Sequence, residues 1–258
     1  MGSDAIVITG ASMGLGAEFA RQLAGRGMPL VLVARNEAKL REVAEAVRSD
    51  FRADAHICVC DLAEPGAAKQ VQRFLRDRAL RPAWLVNNAG FGDAGRFESM
   101  KPERLTDTMM VNMVALVDLT RLLVPMMEGV PDARIINVAS TASFQPVALF
   151  NVYAASKTFV LHFSEALHEE LKPKGIKVLC LCPGPTATNF GVNNGLDAAI
   201  FAKGQTAEYV VRAGIRASDA GSALLVTQRK LAVMAQRFLP RWAVRKAAAT
   251  VAKKFLKE

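Results

Sequence analysis

A tyrosine and a lysine stand four residues apart in the stretch NVYAASKTFV, residues 151–160. The run that follows has the apolar spacing of a helix, so Tyr153 and Lys157 should share one helix face, one turn apart. A neighbouring ammonium favours the phenolate and lowers the pKa of a phenol, which is ordinarily about 10. Such a pair suits general acid–base chemistry, although tyrosine and lysine also occur at this spacing on ordinary solvated helix faces.

A glycine-rich loop follows the first apolar run of the chain. The segment TGASMGLG places Gly10, Gly14 and Gly16 directly before a helical pattern. Glycine lets the backbone turn sharply and approach a pyrophosphate, whose charge then faces the helix N-terminus. The spacing G-x-x-x-G-x-G differs from the G-x-G-x-x-G of many dehydrogenases. Its place between a strand and a helix nevertheless predicts dinucleotide binding.

The end of the second apolar run bears on the choice of nicotinamide cofactor. NAD-dependent folds place an acid there, which binds the ribose 2′-hydroxyl. Here Ala34 takes that place and Arg35 follows it. A guanidinium can pair with a 2′-phosphate, and Ser12 could add a hydrogen bond, so NADP(H) is the predicted cofactor. The alternative is that Arg35 is a solvated loop cation.

The elements that must position these residues are short apolar runs that alternate with longer helical patterns. Continuous apolar strands between helices indicate parallel β-α-β units with helices on both faces of the sheet. We therefore predict one doubly wound α/β domain of the Rossmann type over residues 1–228, with an irregular lid at about 183–205. The predicted strands lie at 5–10, 29–34, 56–60, 83–87, 134–140, 176–181 and, more weakly, 222–227.

Further motifs stand at the predicted strand ends and in the following helices. They are DL at 61–62, NNAG at 87–90, VN ending at Asn112, NVAS ending at Ser140, and PGPTAT at 183–188. With the glycine loop and YAASK, this ordered set resembles the short-chain dehydrogenase/reductase family over about residues 5–228. Within it the chain is similar to DltE-like bacterial reductases of unassigned substrate and to microsomal ketoacyl and steroid reductases.

The resemblance implies a role for each catalytic residue. Tyr153 would be the general acid/base that gives its proton to a carbonyl oxygen as hydride arrives, and Lys157 would lower its pKa and hold the nicotinamide ribose. Ser140 would hydrogen-bond the substrate oxygen, and Asn112 would anchor a water that links Lys157 to solvent. The residues expected to bind NADP(H) are Gly10, Ser12, Met13, Gly14, Leu15, Gly16, Arg35, Asp61, Leu62, Asn88, Ala89, Gly90, Tyr153, Lys157, Pro183, Gly184, Thr186 and Thr188.

The expected function is therefore NADPH-dependent reduction of an apolar carbonyl compound, such as a ketone, a ketoacyl group or a ketosteroid. The resemblance also implies a homodimer or homotetramer. Two alternatives stay open, a catalytically silent protein that senses nucleotide and a protein that binds a membrane surface or a partner. Cys58, Cys60, Cys180 and Cys182 show no metal-binding spacing, and we expect buried structural thiols and no metal site.

Charge is concentrated in the C-terminal segment. Residues 229–258 hold nine basic residues and one acid, a net charge of +8 out of +9 for the whole chain. The high pI therefore belongs to a tail and does not indicate nucleic-acid binding. The first residues lack a signal-peptide pattern, and no apolar run reaches the roughly 18 residues of a spanning helix. We expect a cytoplasmic protein.

The tail also has an amphipathic pattern. Val244, Ala248, Val251 and Phe255 would fall on one face of a helix. This helix could dock on its own domain or on a sister subunit with its basic face in water. It could instead lie on an anionic membrane, or bind an acidic protein.

Overall fold

A seven-stranded parallel sheet forms the centre of the protein. The computed structural model describes residues 2–253, without the side chain of Arg237. The strands of the sheet are β1 Ser3–Thr9, β2 Leu30–Ala34, β3 Ala55–Val59, β4 Leu80–Asn87, β5 Arg134–Val138, β6 Lys177–Cys182 and β9 Leu224–Val226. Their order, β3-β2-β1-β4-β5-β6-β9, confirms the predicted doubly wound fold. Two further strands, β7 Thr186–Ala187 and β8 Gln205–Thr206, pair only with each other.

Helices enclose the sheet. They are α1 Gly14–Leu23, α2 Glu37–Phe51, α3 Ala67–Asp77, α4 Pro102–Met109, α5 Ala115–Met127, α6 Asn151–Leu171, α7 Phe190–Asn193, α8 Ala198–Ala202, α9 Ala207–Asp219, α10 Lys230–Ala235 and α11 Arg241–Lys253. Helix α1 packs with α2 and α9, whereas α3 packs with α5 and α4 with α6. Because helices cover both faces, all five residues of β2 and the last five of β1 are buried. This burial explains why the strands are continuously apolar.

Strand β4 is longer than the pattern predicted. It begins at Leu80, ahead of Pro82, whereas the apolar pattern placed its start at residue 83. Proline lacks an amide hydrogen and normally marks the end of a strand. Here β5 pairs with β4 only from Trp84 onward, so Pro82 has just one neighbouring strand, β1. The pairing with β1 is also irregular between Pro82 and Trp84, and proline is tolerated at such irregularities.

The segment predicted as an irregular lid, 183–205, contains short regular elements. The strands β7 and β8 and the helices α7 and α8 fall in it, with β8 continuing to Thr206. These elements are two to five residues long, which is too short for a hydrophobic period to be recognised in sequence.

A long helix places Asn112 beside Phe91, which lies just after the carboxyl end of the central strand β4. Helices α4 and α5 are joined through a π-helical turn, Met110–Val114, which contains Asn112. The joined helix Pro102–Met127 is 26 residues long and contains an 18-residue stretch with a mean hydropathy of 1.5, so by length and composition it could cross a membrane. Its apolar side is occupied in the fold, where Leu119 and Leu123 are buried in the core. A core helix passes the same test, so this feature is weak evidence for a membrane span.

The C-terminal extension packs on its own domain. Val233 of α10 is buried in a cluster that includes Leu116 and Val160. Just beyond α10, Gln236 Nε2 donates a hydrogen bond to Gln145 Oε1 over 2.6 Å. These contacts tie the extension to the segment that follows β5.

Helix α11 turns a face toward the domain that differs partly from the predicted one. Ala248 is buried as expected, together with Ala252, while Val251 is 50% exposed. The predicted fourth member of the face, Phe255, lies outside the described residues, as do Lys254 and Lys257. The inward face therefore follows an i, i+4 pair of alanines.

All four cysteines are buried and free, as predicted. Burial raises the pKa of Cys58 to about 12 and that of Cys60 to about 11. The Sγ atoms of Cys180 and Cys182 lie 3.7 Å apart, because residues i and i+2 of β6 point to one face. A hydrogen bond with Cys180, followed by burial, raises the pKa of Cys182. Buried protonated thiols are poor nucleophiles and poor metal ligands.

Candidate active site

The four predicted catalytic residues meet where β5 ends against α6. Ser140 lies two residues after the end of β5, while Tyr153 and Lys157 lie on the first turns of α6. The Lys157 ammonium lies 5.8 Å from the centre of the Tyr153 ring and donates a hydrogen bond to Val138 O over 2.8 Å. The Ser140 hydroxyl interacts with the Tyr153 phenol and accepts a hydrogen bond from the amide of Ala142 over 3.1 Å. Phenol, hydroxyl and ammonium therefore form one cluster.

Burial sets the protonation of this cluster. It raises the pKa of Tyr153 to about 12, opposed by the hydrogen bond with Ser140. It also lowers the pKa of Lys157 to about 8. The expectation of a net lowered phenol pKa is therefore wrong for the protein alone, because desolvation of the phenolate outweighs the attraction of a nearby ammonium. At neutral pH Tyr153 is a protonated phenol, which can donate a proton to a carbonyl oxygen.

The side chain of Asn112 holds the backbone of Phe91 through hydrogen bonds. Its Oδ1 accepts a hydrogen bond from the amide of Phe91 over 3.0 Å. Its Nδ2 donates to Phe91 O over 2.8 Å and to Ser156 Oγ over 2.9 Å. The residue is buried behind Gly90, where an added Cβ would lie 3.0 Å from Lys157 Nζ and 3.1 Å from Asn112 Oδ1. Asn112 therefore fixes the chain after the NNAG motif beside Lys157, and its role in holding a water stays a prediction.

The glycine loop has the geometry of a phosphate cradle. Gly10 and Gly14 have positive φ angles of 64° and 56°, which favour glycine. A Cβ on Gly16 would lie 2.1 Å from Gly10 O, so α1 can start this close to the loop only with glycine there. Met13, at the N-cap of α1, makes no side-chain capping bond. The first amides of α1 are thus available to an anion, as a pyrophosphate requires.

Thr9 is a residue that the motif analysis missed. Its hydroxyl accepts hydrogen bonds from the amides of Asn88 and Ala89, each over 3.0 Å, and donates to Val86 O over 3.2 Å. Asn88 Nδ2 in turn donates to Thr9 O over 2.9 Å. These bonds tie the NNAG segment to the glycine loop. A threonine that directly precedes the first glycine is the only signal the sequence offered for this role.

Arg35 directly follows β2, where the adenosine of a dinucleotide would bind. Its side chain is 67% exposed, and its Nη1 lies 3.6 Å from Asp61 Oδ2, whose side chain is 37% exposed. An exposed ion pair of this length contributes little, so the guanidinium can turn to a phosphate. These residues fit an NADP 2′-phosphate, and Asp61 beside Arg35 leaves one carboxylate close to that site.

One cavity of about 700 Å³ joins these features. We call the part formed by the glycine loop, Arg35, Asp61 and NNAG the cofactor end. We call the part around Tyr153, the lid and α11 the substrate end. Every predicted site residue lines the cavity except Gly16 and Asn112, which lie behind it and support Gly10 and Gly90.

The substrate end is aromatic and apolar. The Phe150 ring stacks on Tyr153 with centroids 4.3 Å apart, and Phe190 lies 5.5 Å from Tyr153 on another side. Phe201 and Leu196 complete a buried cluster around them. Asn194 secures the lid, since its Oδ1 accepts from the Gly92 amide over 2.7 Å and its Nδ2 donates to Phe190 O over 2.6 Å.

Some lining residues had no recognised signal in the sequence. Phe150, Arg104, Gln145 and Val147 come from the segments on either side of the catalytic motifs. Helix α11, which lies almost a hundred residues after Tyr153 in the sequence, contributes Ala248, Val251 and Ala252. A parallel α/β sheet that brings its strand ends, glycine loop and buried Tyr-Lys-Ser cluster to one cavity has the site layout that dinucleotide-dependent oxidoreductases use.

Comparison with known proteins gives the family. Residues 4–198 match the model of the short chain dehydrogenase family. The chain is 33% identical to a very-long-chain 3-oxoacyl-CoA reductase of Rattus norvegicus over 186 residues, which are 70% of this chain and 59% of that protein. It is 31% identical to hydroxysteroid dehydrogenase-like protein 1 of Gallus gallus over 185 residues, 70% of this chain and 55% of that protein. The chain belongs to the short-chain dehydrogenase/reductase family and spans less than two thirds of these relatives.

Solved structures agree with this assignment. A short-chain dehydrogenase from Sphingobium yanoikuyae in complex with NADPH superposes with a TM-score of 0.83 at 30% identity, covering 91% of this chain and 92% of the other. The bulky-bulky ketone specific alcohol dehydrogenase from Comamonas testosteroni gives a TM-score of 0.78 at 28% identity, covering 92% and 90%. The fold is therefore shared across nearly the whole described chain. The narrower resemblance to DltE-like reductases stays a prediction.

Proposed function

We propose that this protein reduces a bulky apolar ketone or ketoacyl group to the alcohol with NADPH. The observation that carries the proposal is the buried, protonated phenol of Tyr153, with Ser140 and Lys157 beside it, at the substrate end of the cavity. A catalytically silent nucleotide sensor would have no need of a proton donor in this position.

The residues divide the reaction among them. When bound, NADPH supplies the hydride that adds to the carbonyl carbon. Ser140 hydrogen-bonds the carbonyl oxygen and holds it beside Tyr153, which gives its phenol proton to the oxygen as negative charge develops there. The Lys157 ammonium stabilises the phenolate that remains and donates hydrogen bonds to the ribose. Asn112 keeps Phe91 and Gly90 in place behind Lys157.

The substrate class is inferred from the lining of the cavity. Aromatic rings surround Tyr153 on two sides, and the lid adds Leu196 and Phe201. Apolar pockets with a few directed polar groups bind apolar ligands and orient them through those groups. Relatives named for very-long-chain 3-oxoacyl-CoA and for bulky ketones support the same class.

NADP(H) is proposed as the cofactor on the strength of Ala34 and Arg35. The small, buried Ala34 puts no carboxylate at the end of β2, and Arg35 is exposed enough to reach a 2′-phosphate. The NADPH complex of the Sphingobium yanoikuyae relative supports this choice.

A second copy of this chain is the proposed structural partner. Met109, Val114 and Phe159 are large apolar side chains that are each about 40% exposed on the joined helix α4–α5 and on α6. Phe159 also stacks on Phe163, with centroids 5.8 Å apart. Pairing of these helices across a two-fold axis would cover this surface. Sedimentation of the protein should then give a dimer or tetramer.

A peripheral contact with an anionic membrane from the cytoplasmic side is proposed for the C-terminal extension. Leu231 and Phe238 are nearly fully exposed, at 87% and 89%, and Trp242 is 60% exposed. Basic residues surround them in sequence, and each contributes about 1 kcal/mol near an anionic surface. Sedimentation with phosphatidylserine vesicles should recover the protein at low salt, and the double change Arg245→Glu with Lys246→Glu should abolish it.

The reductase proposal is tested by NADPH consumption with ketones, 3-oxoacyl thioesters and ketosteroids. Turnover of at least one class, lost in Tyr153→Phe, is the expected result. Nucleotide binding without consumption of NADPH by any carbonyl would instead favour the silent sensor.

A further inference from the structure

Helix α11 forms a wall of the cavity that holds Tyr153. Ala248, Val251 and Ala252 all line that cavity. Two of them, Ala248 and Ala252, are only 8% and 6% exposed, so the helix face that carries them is closed against the domain. The family match ends at residue 198, so α11 lies outside the part of the chain that it covers.

The topology places α11 at the substrate end. In the sheet, β9 is at one edge and β3, which leads to Asp61, is at the other. Helix α10 follows β9, and the hydrogen bond between Gln236 and Gln145 ties the chain to the segment just after Ser140. The adenosine part of the cavity, at Arg35, is across the sheet. The helix that begins five residues after Gln236 therefore meets the cavity near the reacting carbonyl.

The wall is made of small side chains. The buried cluster around Tyr153 contains Phe150, Leu196 and Phe201, whereas α11 presents two alanines one turn apart. Val251 is both a lining residue and 50% exposed, so it stands at the rim between the cavity and solvent.

We propose that α11 selects substrates by size, with Ala248 and Ala252 leaving room for a bulky or long apolar group and Val251 bordering its exit to solvent. This inference rests on the proposed reductase function and adds to it the residues that set specificity. Larger side chains at 248 or 252 would fill the space that the group needs, while the carbonyl, Ser140 and Tyr153 keep their places.

The chain offers a matched control. Ala247 lies on α11 beside Ala248 but is exposed to solvent. Ala248→Leu, Ala252→Leu and Ala247→Leu make the same chemical change on the same helix, toward the cavity in two cases and away from it in the third. Helix propensity differs little between alanine and leucine, so unfolding of α11 itself is not expected.

The experiment measures kcat/KM with NADPH for methyl ketones of increasing chain length. The ratio of long-chain to short-chain kcat/KM should fall by at least about 10-fold in Ala248→Leu and Ala252→Leu, since a misfit of one methylene can already cost that much. Ala247→Leu should keep the wild-type ratio. Val251→Ala, which widens the rim, should raise the ratio, and it guards against a trivial loss of folding in the leucine variants.

Two outcomes overturn the inference. One is a chain-length ratio that stays at the wild-type value in both inward variants, and the other is a ratio that Ala247→Leu lowers as much as they do. Failure of the proposed function looks different, because wild type would then reduce none of the ketones. In that case the same variants are compared by calorimetric titration of their NADPH complexes with the same ketones. Weaker binding of long-chain ketones in the two inward variants, and not in Ala247→Leu, would support size selection by α11.

Discussion

The cofactor end and the substrate end of the cavity are built from different kinds of structure. The cofactor end consists of backbone at the ends of buried strands, held by Thr9, Asn88 and glycines that leave no room for a side chain. The substrate end is formed largely by side chains, several of them on the short helices α7 and α8 and on the late helix α11. Backbone geometry tolerates few sequences, whereas a wall of side chains can be changed one residue at a time.

The catalytic cluster stands between these two ends and serves both. Lys157 is anchored to Val138 O in the sheet, while Tyr153 is stacked against Phe150 at the start of α6. Chemistry can therefore stay constant while the substrate wall varies.

The largest effect is expected at Tyr153. Tyr153→Phe keeps the ring that stacks on Phe150 but removes the proton donor. Turnover should fall by about 10²–10⁴-fold, the usual contribution of general acid catalysis. Affinity for NADPH, measured by fluorescence titration, should stay near the wild-type value. Undiminished turnover in this variant would contradict the assigned mechanism.

The next prediction compares a closely packed glycine with one that has open space around it. Gly16→Ala forces a Cβ to within 2.1 Å of Gly10 O, which is backbone and cannot yield cheaply. We expect a loss of roughly 1–3 kcal/mol in the free energy of unfolding, with weaker NADPH binding. Gly25→Ala is the control, because a Cβ there meets nothing within 4 Å. Equal denaturant midpoints for the two variants would show that the loop is not closely packed.

A smaller effect is expected at the adenosine end. Arg35→Asp replaces the proposed phosphate partner with a repelling charge beside Asp61. A hydrogen bond to a charged group is worth about 1.5–3 kcal/mol, so preference for NADPH over NADH should drop by at least about 10-fold. Arg76→Asp, the same charge change on the exposed side of α3, should leave the preference alone. A wild-type enzyme that uses NADH as well as NADPH would rule out the assignment.

The last prediction concerns the pH dependence of stability in the cofactor-free protein. Burial lowers the pKa of Lys157 to about 8 from its ordinary 10.5. The folded protein then releases this proton at a lower pH than the unfolded chain, so burying the lysine costs most below pH 8 and nothing above pH 10.5. This shift corresponds to a cost on the order of 3 kcal/mol.

The variant Lys157→Met tests this cost. It should be more stable than wild type at neutral pH, and its advantage should shrink as the pH rises from 8 to 10.5. The raised pKa of Tyr153 changes stability only above pH 10, so the comparison is clearest between pH 8 and pH 10. Denaturant unfolding at several pH values measures the two curves. An advantage that does not change with pH would mean that Lys157 is not the titrating group.

The amino-acid sequence by itself determined the fold and the family. Continuous apolar strands could only be buried on both sides, and the order of the glycine loop, NNAG, Ser140 and YAASK along the chain matched the strand ends where they were later found. These signals are local in sequence, so they could be read without knowing the tertiary structure. The start of β4 ahead of Pro82 was not predicted, because the neighbouring strands decide whether proline is tolerated there. The short lid helices were not predicted, because they are too short to show a hydrophobic period.

Only the tertiary structure decided the protonation of Tyr153 and the make-up of the substrate wall. The spacing of Tyr153 and Lys157 suggested a lowered phenol pKa, but burial of the ring, which spacing does not reveal, raises it. Likewise, the tail pattern showed an amphipathic helix without showing what covers its apolar face. Ala248 and Ala252 come to line the cavity because the chain leaves the sheet at the β9 edge and Gln236, just after α10, bonds to Gln145 in the segment that follows Ser140. Contacts between residues a hundred positions apart depend on chain topology, which no local pattern encodes.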